Sequence, residues 1–351
     1  SSDHISNLPD GVLQHLLSFL PTQDAVQTRV LAKCWCNLWT STTVLRFDFV
    51  DQLLRLRICE GTPLDTCEFC LGENDDGEIM SHVMHWIRIA LQCKVRVLQL
   101  ICAGNCRDIL SLDVHPFFIS QYLKKLELNG IYFRYALLIS SQSLKCLTIE
   151  IGAFGEDDRL PICAPNLVSL WLEVRDGRIP LLERMPSLMA GYVKINSDFD
   201  CFFISDSEDD DDDDDDNDNQ SILLQGLSEV RNLVLISCYI EMFIFRRDMR
   251  FCSSFNKLKS LLVDEYWCQP ADFSALACLL KLSPVLEKLT LQIYSEGPEH
   301  KVQIKLSCNP LEMSTAISQH LKTLEVKCEV YDERINKLLT FLSKQLNIYI
   351  S

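Results

Sequence analysis

A chain of 351 residues, 48% of them hydrophobic, can bury a sizeable core and has room for two domains. No apolar run reaches the roughly 20 residues that span a bilayer, and the first residues carry no basic flank followed by an apolar core, so neither a membrane nor a secretory role is expected. Of the formal charge of −16, eleven acids fall between Asp206 and Asp218; the remainder holds 38 acids against 33 bases, with no basic stripe interleaved with aromatics, which disfavours nucleic acid as a partner.

Seventeen cysteines are scattered through the chain, and the count is odd. Cys34, Cys59, Cys93, Cys146, Cys163 and Cys278 sit among apolar residues, where a free thiol packs as a small hydrophobe. A reduced protein of the nucleus or cytoplasm is expected.

In chain order, Asp10 to Leu20 reads as a helix, with Leu13, Leu16, Leu17 and Leu20 at i, i+3, i+4 and i+7. Pro9 sits where a missing amide proton costs little, and Pro21 ends the helix. Thr22 can cap a second short helix with Ala25, Val26 and Arg29. A third, Ala32 to Trp39, carries Trp35, Leu38 and Trp39 on one side. Three helices this short cannot bury all these side chains among themselves. One reading is a cap over the end of the following domain. The other is a partner surface, for which Leu8, Pro9, Leu13, Leu16, Leu17, Leu20 and Val26 are the candidates.

From Val95 onward the pattern L-x-x-L-x-L recurs: 95–100, 123–128, 144–149, 167–172, 230–235, 258–263, 286–291 and 321–326, with a degenerate copy at 188–195. Its fourth positions are separated by 28, 21, 23, 63, 28, 28 and 35 residues, the spacing of leucine-rich repeats. Earlier strands are expected at Leu45-Arg46-Phe47 and Glu68–Leu71. Alternation at the last two apolar positions makes a short strand with one buried face, and stacking of units gives a parallel sheet. Between strands, Ile79–Gln92 and Ser274–Leu282 are amphipathic enough for helices, the first burying Trp86, Ile87, Ala90 and Leu91. The predicted fold is α/β: three front helices, then an irregular horseshoe-like solenoid with its parallel sheet on the concave face. Projecting residues Trp171, Glu173, Arg175, Asp264, Glu265, Tyr266 and Trp267 are candidates for a recognition surface. The alternative for Trp171 and Trp267 is to cover core edges.

The aspartate run Asp209–Asp216 repels itself and buries nothing, so 205–220 reads as a solvated insertion, with recruitment of a basic partner as the alternative. Signatures for bond-making chemistry are thin. There is no phosphate loop and no dinucleotide fingerprint. His82, His85 and Cys93 make an incomplete metal set, and Cys67 and Cys70 form a lone C-x-x-C across a strand rather than at a helix start. No catalytic residue, metal or cofactor is expected.

The stretch Ile5-Ser6-Asn7-Leu8-Pro9-Asp10-Gly11-Val12-Leu13, continued by Leu17-Ser18-Phe19-Leu20-Pro21-Thr22, Asp24–Arg29 and Trp35–Trp39, resembles an F-box. With the repeats behind it, the chain resembles the plant F-box proteins with leucine-rich repeats. Val44–Asp48 is similar to the strand that follows in that family, and His320–Leu342 to a shortened FBD region. The resemblance implies an adaptor-binding domain at 1–42 and a repeat domain at 43–351, the latter with the acidic insert and an FBD-like tail from about 300. It implies that Leu8, Pro9, Leu13, Leu16, Leu17, Leu20 and Val26 contact a Skp1-type adaptor, which links to a cullin and a RING protein, while the repeats select a substrate protein. A scaffold without a ubiquitylation role and a small-molecule co-receptor are the alternatives. Relatives place serine before Lys33 and arginine where this chain has Cys34 and Cys36, which implies weaker contacts to an acidic adaptor.

Overall fold

The computed structural model of the protein describes residues 8–17, 19–20, 44–47, 64–71, 77–102, 120–133, 138–155, 159–196, 223–237, 254–268, 273–293, 302–307, 320–328 and 333–346. The second and third front helices, Val26 among them, and the acidic insert lie outside these residues. The architecture is α/β, a mostly parallel sheet with few helices among the described residues. Two compact units form, Ser1–Ala153 and Phe154–Ser351.

In the first unit, helix α1 (Asp10–Leu17) precedes strand β1 (Val44–Phe47), β2 (Thr66–Leu71), helix α2 (Gly77–Gln92), β3 (Val97–Cys102), β4 (Lys125–Asn129), β5 (Tyr132–Phe133), β6 (Ile139–Ser140) and β7 (Cys146–Phe154), whose last residue belongs to the second unit. The order β1-β2-β3-β4-β7 is parallel throughout. The second unit holds β8 (Pro161–Cys163), β9 (Ser169–Asp176), β10 (Leu181–Leu182), β11 (Ala190–Ile195), β12 (Asn232–Ser237), β13 (Ser260–Asp264), the 3-10 turn Glu265–Cys268, helix α3 (Ser274–Lys281), β14 (Lys288–Ile293), β15 (Val302–Ser307), β16 (Thr323–Cys328) and helix α4 (Glu333–Leu346). Here β9-β11-β12-β13-β14-β16 run parallel, and β15 closes the row antiparallel to β16.

Each recurring motif becomes one strand that starts at its third position. The first, fourth and sixth positions are core: Leu123, Leu126 and Leu128 in one unit, and Leu258, Leu261 and Val263 in the other, are all buried. Within each unit the strands stack in strict register, third position on third position, as Val97↔Lys125↔Cys146 and Ala190↔Asn232↔Ser260↔Lys288↔Thr323. The cause is a shared acceptor at the second position. The Arg96 carbonyl accepts the amides of Lys124 and Lys125 at 2.7 and 3.0 Å, and the Lys124 carbonyl those of Lys145 and Cys146 at 2.8 and 3.0 Å. Met189, Arg231, Lys259 and Glu287 repeat the arrangement in the second unit. A one-residue slip would break this pairing and turn every leucine to solvent.

The degenerate copy at 188–195 keeps the register with glycine at its fourth position. A Cβ on Gly191 would lie 3.1 Å from Leu233 Cδ1 and 3.4 Å from Leu227 Cδ2, so neighbouring leucines occupy the space. Helix α2 buries Val83, Ile87, Ile89 and Ala90. Trp86 and Leu91, expected in that stripe, are only half-buried. Trp86 instead stacks on Phe69 of β2, with ring centroids 6.1 Å apart and planes 21° apart, at the margin of the core. In the tail, α4 buries Ile335, Leu338, Leu339 and Leu342, and its Phe341 stacks on Phe273 ahead of α3 at 4.8 Å. No described helix is long and apolar enough to cross a membrane.

Candidate functional site

Two surfaces present apolar side chains. The first is α1 and the turn after it. The sequence pattern suggested one continuous stripe; the structure splits it. The helix stops at Leu17, and the chain tightens through Phe19 N–H to the Leu16 carbonyl and Leu20 N–H to the Leu17 carbonyl, at 3.2 and 3.1 Å. Leu13 and Leu17, at i and i+4, are buried in the chain itself, so these two adaptor-contact candidates face inward. Leu8, Pro9, Leu16 and Leu20 are exposed. Val12 and Phe19, which the periodicity did not single out, join them; Leu16 is 45% and Phe19 65% exposed, and the Phe19 ring meets His15 edge-on at 4.9 Å.

The second surface is the outward face of the strands in the second unit, made by motif positions five and seven. Trp171 of β9 and Tyr192 of β11 are register partners, and their rings lie face to face with centroids 3.7 Å apart and planes 9° apart. Trp171 is 38% exposed. The same row continues through half-buried Val234 of β12 and Leu262 of β13, with Ile236 beside Val234. Flanking this apolar strip, the Glu173 carboxylate accepts from Asn196 Nδ2 at 3.2 Å and pairs with Lys194 Nζ at 3.3 Å. That charge is thus neutralised within the face. Arg175, further along β9, is half-buried, with its Nε enclosed and unpaired among the described residues.

The other predicted recognition cluster does not belong to this face. Tyr266 and Trp267 are buried and Asp264 is only 7% exposed, while Glu265 is half-buried. The reason is the 3-10 turn, which folds these residues back onto the core. The Asp264 carboxylate organises it: Oδ2 accepts the Ser237 amide at 2.6 Å, while Oδ1 is buried with no partner among the described residues. Burial pushes this carboxyl up to about 7, against backbone amides at Ser237, Asp264 and Tyr266 that favour the charged form. The neighbouring Cys268 thiol is also pushed up by burial and by Asp264 and Glu265, which makes it an inert, protonated group.

Alternation along β2 buries Cys67 and exposes Cys70, so the two sulfurs of the C-x-x-C lie on opposite faces. Among the described residues no three His, Cys, Asp or Glu side chains converge as a metal site. Of the residues on the open face, Tyr192, Lys194, Asn196, Val234, Ile236 and Leu262 escaped the sequence reading. Superposing the fifth and seventh positions of the motifs, the degenerate copy included, would have found all but Asn196.

An F-box domain matches residues 5–47, which sets the class of the front module. The chain is 31% identical to F-box/LRR-repeat protein 25 of Arabidopsis thaliana over 181 residues, 49% of this chain and 68% of that protein. It is 23% identical to an FBD-associated F-box protein of the same plant over 98% of this chain and 97% of the relative. A third Arabidopsis relative, an F-box/LRR-repeat protein, is 30% identical over 177 residues, and the chain spans 37% of its length. The chain belongs to the F-box/LRR-repeat proteins, with FBD-associated relatives matching over nearly its whole length.

Proposed function

We propose that this protein is the non-catalytic substrate-recognition subunit of an SCF-type (Skp1–cullin–F-box) ubiquitin ligase in the nucleus or cytoplasm. Its F-box module, residues 1–42, docks on a Skp1-type adaptor and through it on the cullin and RING proteins. The stacked strands of 43–351 form a leucine-rich-repeat solenoid that binds the target protein, with the FBD-like tail from about 300 as its end. The observation that carries this reading is the joining of an F-box match at 5–47 to parallel strands in strict register behind it. The protein makes no bond itself. It raises the local concentration of the target beside a charged ubiquitin-conjugating enzyme, converting an encounter between separate molecules into one within a complex.

The adaptor contacts are the exposed members of the front cluster: Leu8, Pro9, Val12, Leu16, Phe19 and Leu20. Leu13 and Leu17, which are buried, hold α1 in place in this reading. The test is co-expression with a Skp1-type adaptor. Leu16→Asp together with Phe19→Asp places two charges in a desolvated contact and abolishes co-purification, while circular dichroism of the chain stays unchanged. Undiminished co-purification of the double variant sinks the assignment.

The target-binding face is the Trp171–Tyr192 pair with Val234, Ile236 and Leu262 beside it. Large aromatic anchors dominate protein interfaces, and truncating one costs ~2 kcal/mol or more, about 30-fold in affinity. Trp171→Ala with Tyr192→Ala therefore removes ubiquitin transfer to targets cross-linked to the wild-type repeats and leaves adaptor binding intact. Transfer that persists at the wild-type rate in the double variant refutes this face as the recognition site. Adaptor binding with no transfer to any captured target refutes the ligase role itself.

A further inference from the structure

The second motif position forms a row of side chains at one end of the strands, and the two units fill it with different charge patterns. In the second unit the row runs Val168, Met189, Arg231, Lys259, Glu287, Lys322, and from Lys259 onward its charges alternate. The Glu287 carboxylate sits 2.7 Å from Lys259 Nζ and 2.7 Å from Lys322 Nζ, and these two cations hold it down to about 2. Side chains at this position in adjacent strands therefore reach one another directly, and a base–acid–base sequence satisfies them.

In the first unit the same position carries Arg96, Lys124 and Lys145. Their backbones are locked as neighbours by the same shared carbonyls, at 2.7 and 2.8 Å for Arg96 to Lys124 and Lys124 to Lys145. A fourth cation, Lys94, projects over the ring of Tyr122 at 5.3 Å, and Tyr122 is 46% exposed. The acids of the described residues near this row include Asp65 and Glu127. Asp65, exposed, occupies the equivalent position at the β2 end of the row. Glu127 is already held by Lys125 at 2.6 Å and by Gln99. Like charges at neighbouring positions repel, and among the described residues of the row only Asp65, beside Arg96, offsets them. A chain with a net charge of −16 nonetheless concentrates four cations here.

We infer that Lys94, Arg96, Lys124 and Lys145 form a docking surface for a short acidic segment, rich in Asp and Glu, of a partner protein. Its carboxylates would supply the alternation that Glu287 supplies in the second unit, and Tyr122 gives the segment a ring to lie against. Three strands at ~4.8 Å spacing make a row about 10 Å long, the reach of roughly three extended residues. A long polyanion such as nucleic acid would meet the acidic remainder of the chain and be repelled. This surface is distinct from both proposed in the preceding section.

The test uses the full chain and a fluorescein-labelled octaglutamate peptide, read by fluorescence anisotropy at low salt. Lys124→Glu recreates the base–acid–base order of 259, 287 and 322. It is expected to weaken the peptide at least ~10-fold and at the same time raise the melting temperature, since like-charge repulsion becomes pairing. Lys259→Glu changes net charge equally but lies outside the set Lys94, Arg96, Lys124 and Lys145, and is expected to leave peptide affinity within ~2-fold. The inference is overturned by any of three results: no peptide binding to the wild type, equal loss in both variants, or tighter binding of single-stranded oligothymidylate than of the peptide.

Discussion

Replacing Asp264 by Asn raises the stability of the chain at pH 8 far more than at pH 4.5. Asp264 holds an ionisable carboxyl in the core, with one oxygen satisfied by the Ser237 amide and the other unpaired among the described residues. Its folded-state value is about 7 against 3.8 for the free group. The sign follows from which state holds the proton. Between these two values the folded protein keeps it and the unfolded chain has lost it, so stability is fully present below the unfolded value and drains away as pH rises through the folded one. Each unit of difference is worth ~1.4 kcal/mol, so the wild type loses about 3 kcal/mol from this group between pH 4.5 and pH 8. Asparagine keeps an acceptor toward Ser237 and removes the titration. Thermal melts of both proteins at the two pH values should show the gap widening by roughly 6–12 °C at the higher pH. A gap that is constant or narrows with pH would mean that Asp264 does not carry an elevated value. The Glu287 carboxylate, held between two lysines, has the opposite sign: its contribution is present above the ordinary carboxylate value and is lost as pH falls toward 2.

Gly177→Ala destabilises the second unit strongly. Gly177 follows β9 with φ at +80°, where an L side chain is strained, and a Cβ there would lie 1.7 Å from the Phe154 carbonyl oxygen. The strain costs ~1–2 kcal/mol. The close approach cannot be relieved by turning a side chain, because the obstacle is backbone, and overpacking of this kind adds ~1–3 kcal/mol. Together they lower the melting temperature by roughly 10 °C. Gly11→Ala is the internal contrast: nothing lies within 4 Å of its Cβ site in α1, so alanine there adds helix propensity and does not lower the melting temperature. Equal melting behaviour of the two variants would contradict the close approach at Gly177. The residue also shows why β9 can turn so sharply: the Gly177 amide is taken by Asp176 Oδ1 at 3.0 Å, and only glycine tolerates the geometry that follows.

The sequence alone located the strands of the recurring motif and the two before it, but not β5, β6, β8, β10 or β15. Every L-x-x-L-x-L copy became a strand starting at its third residue, because a period of two buries one face whatever the neighbours are. The two helices between strands were legible for the same kind of reason, from a stripe at helical spacing. Motif phase also implied which positions face outward, which is why Trp171 and Glu173 were found. Tertiary structure decided the rest. Trp171 meets Tyr192 because stacking sets residues 21 apart side by side, and unequal repeat lengths hide that adjacency from a reader of the chain. Trp267 and Asp264 are core rather than rim because the turn after β13 folds inward, and no local pattern distinguishes an aromatic that turns back from one that projects. Leu13 and Leu17 separate from Leu16 because a helix of two turns has two sides, and only tertiary packing decides which one is covered. The charge row at Arg96, Lys124 and Lys145 is the same case: composition averages over the chain, whereas register brings like charges from three repeats to one edge.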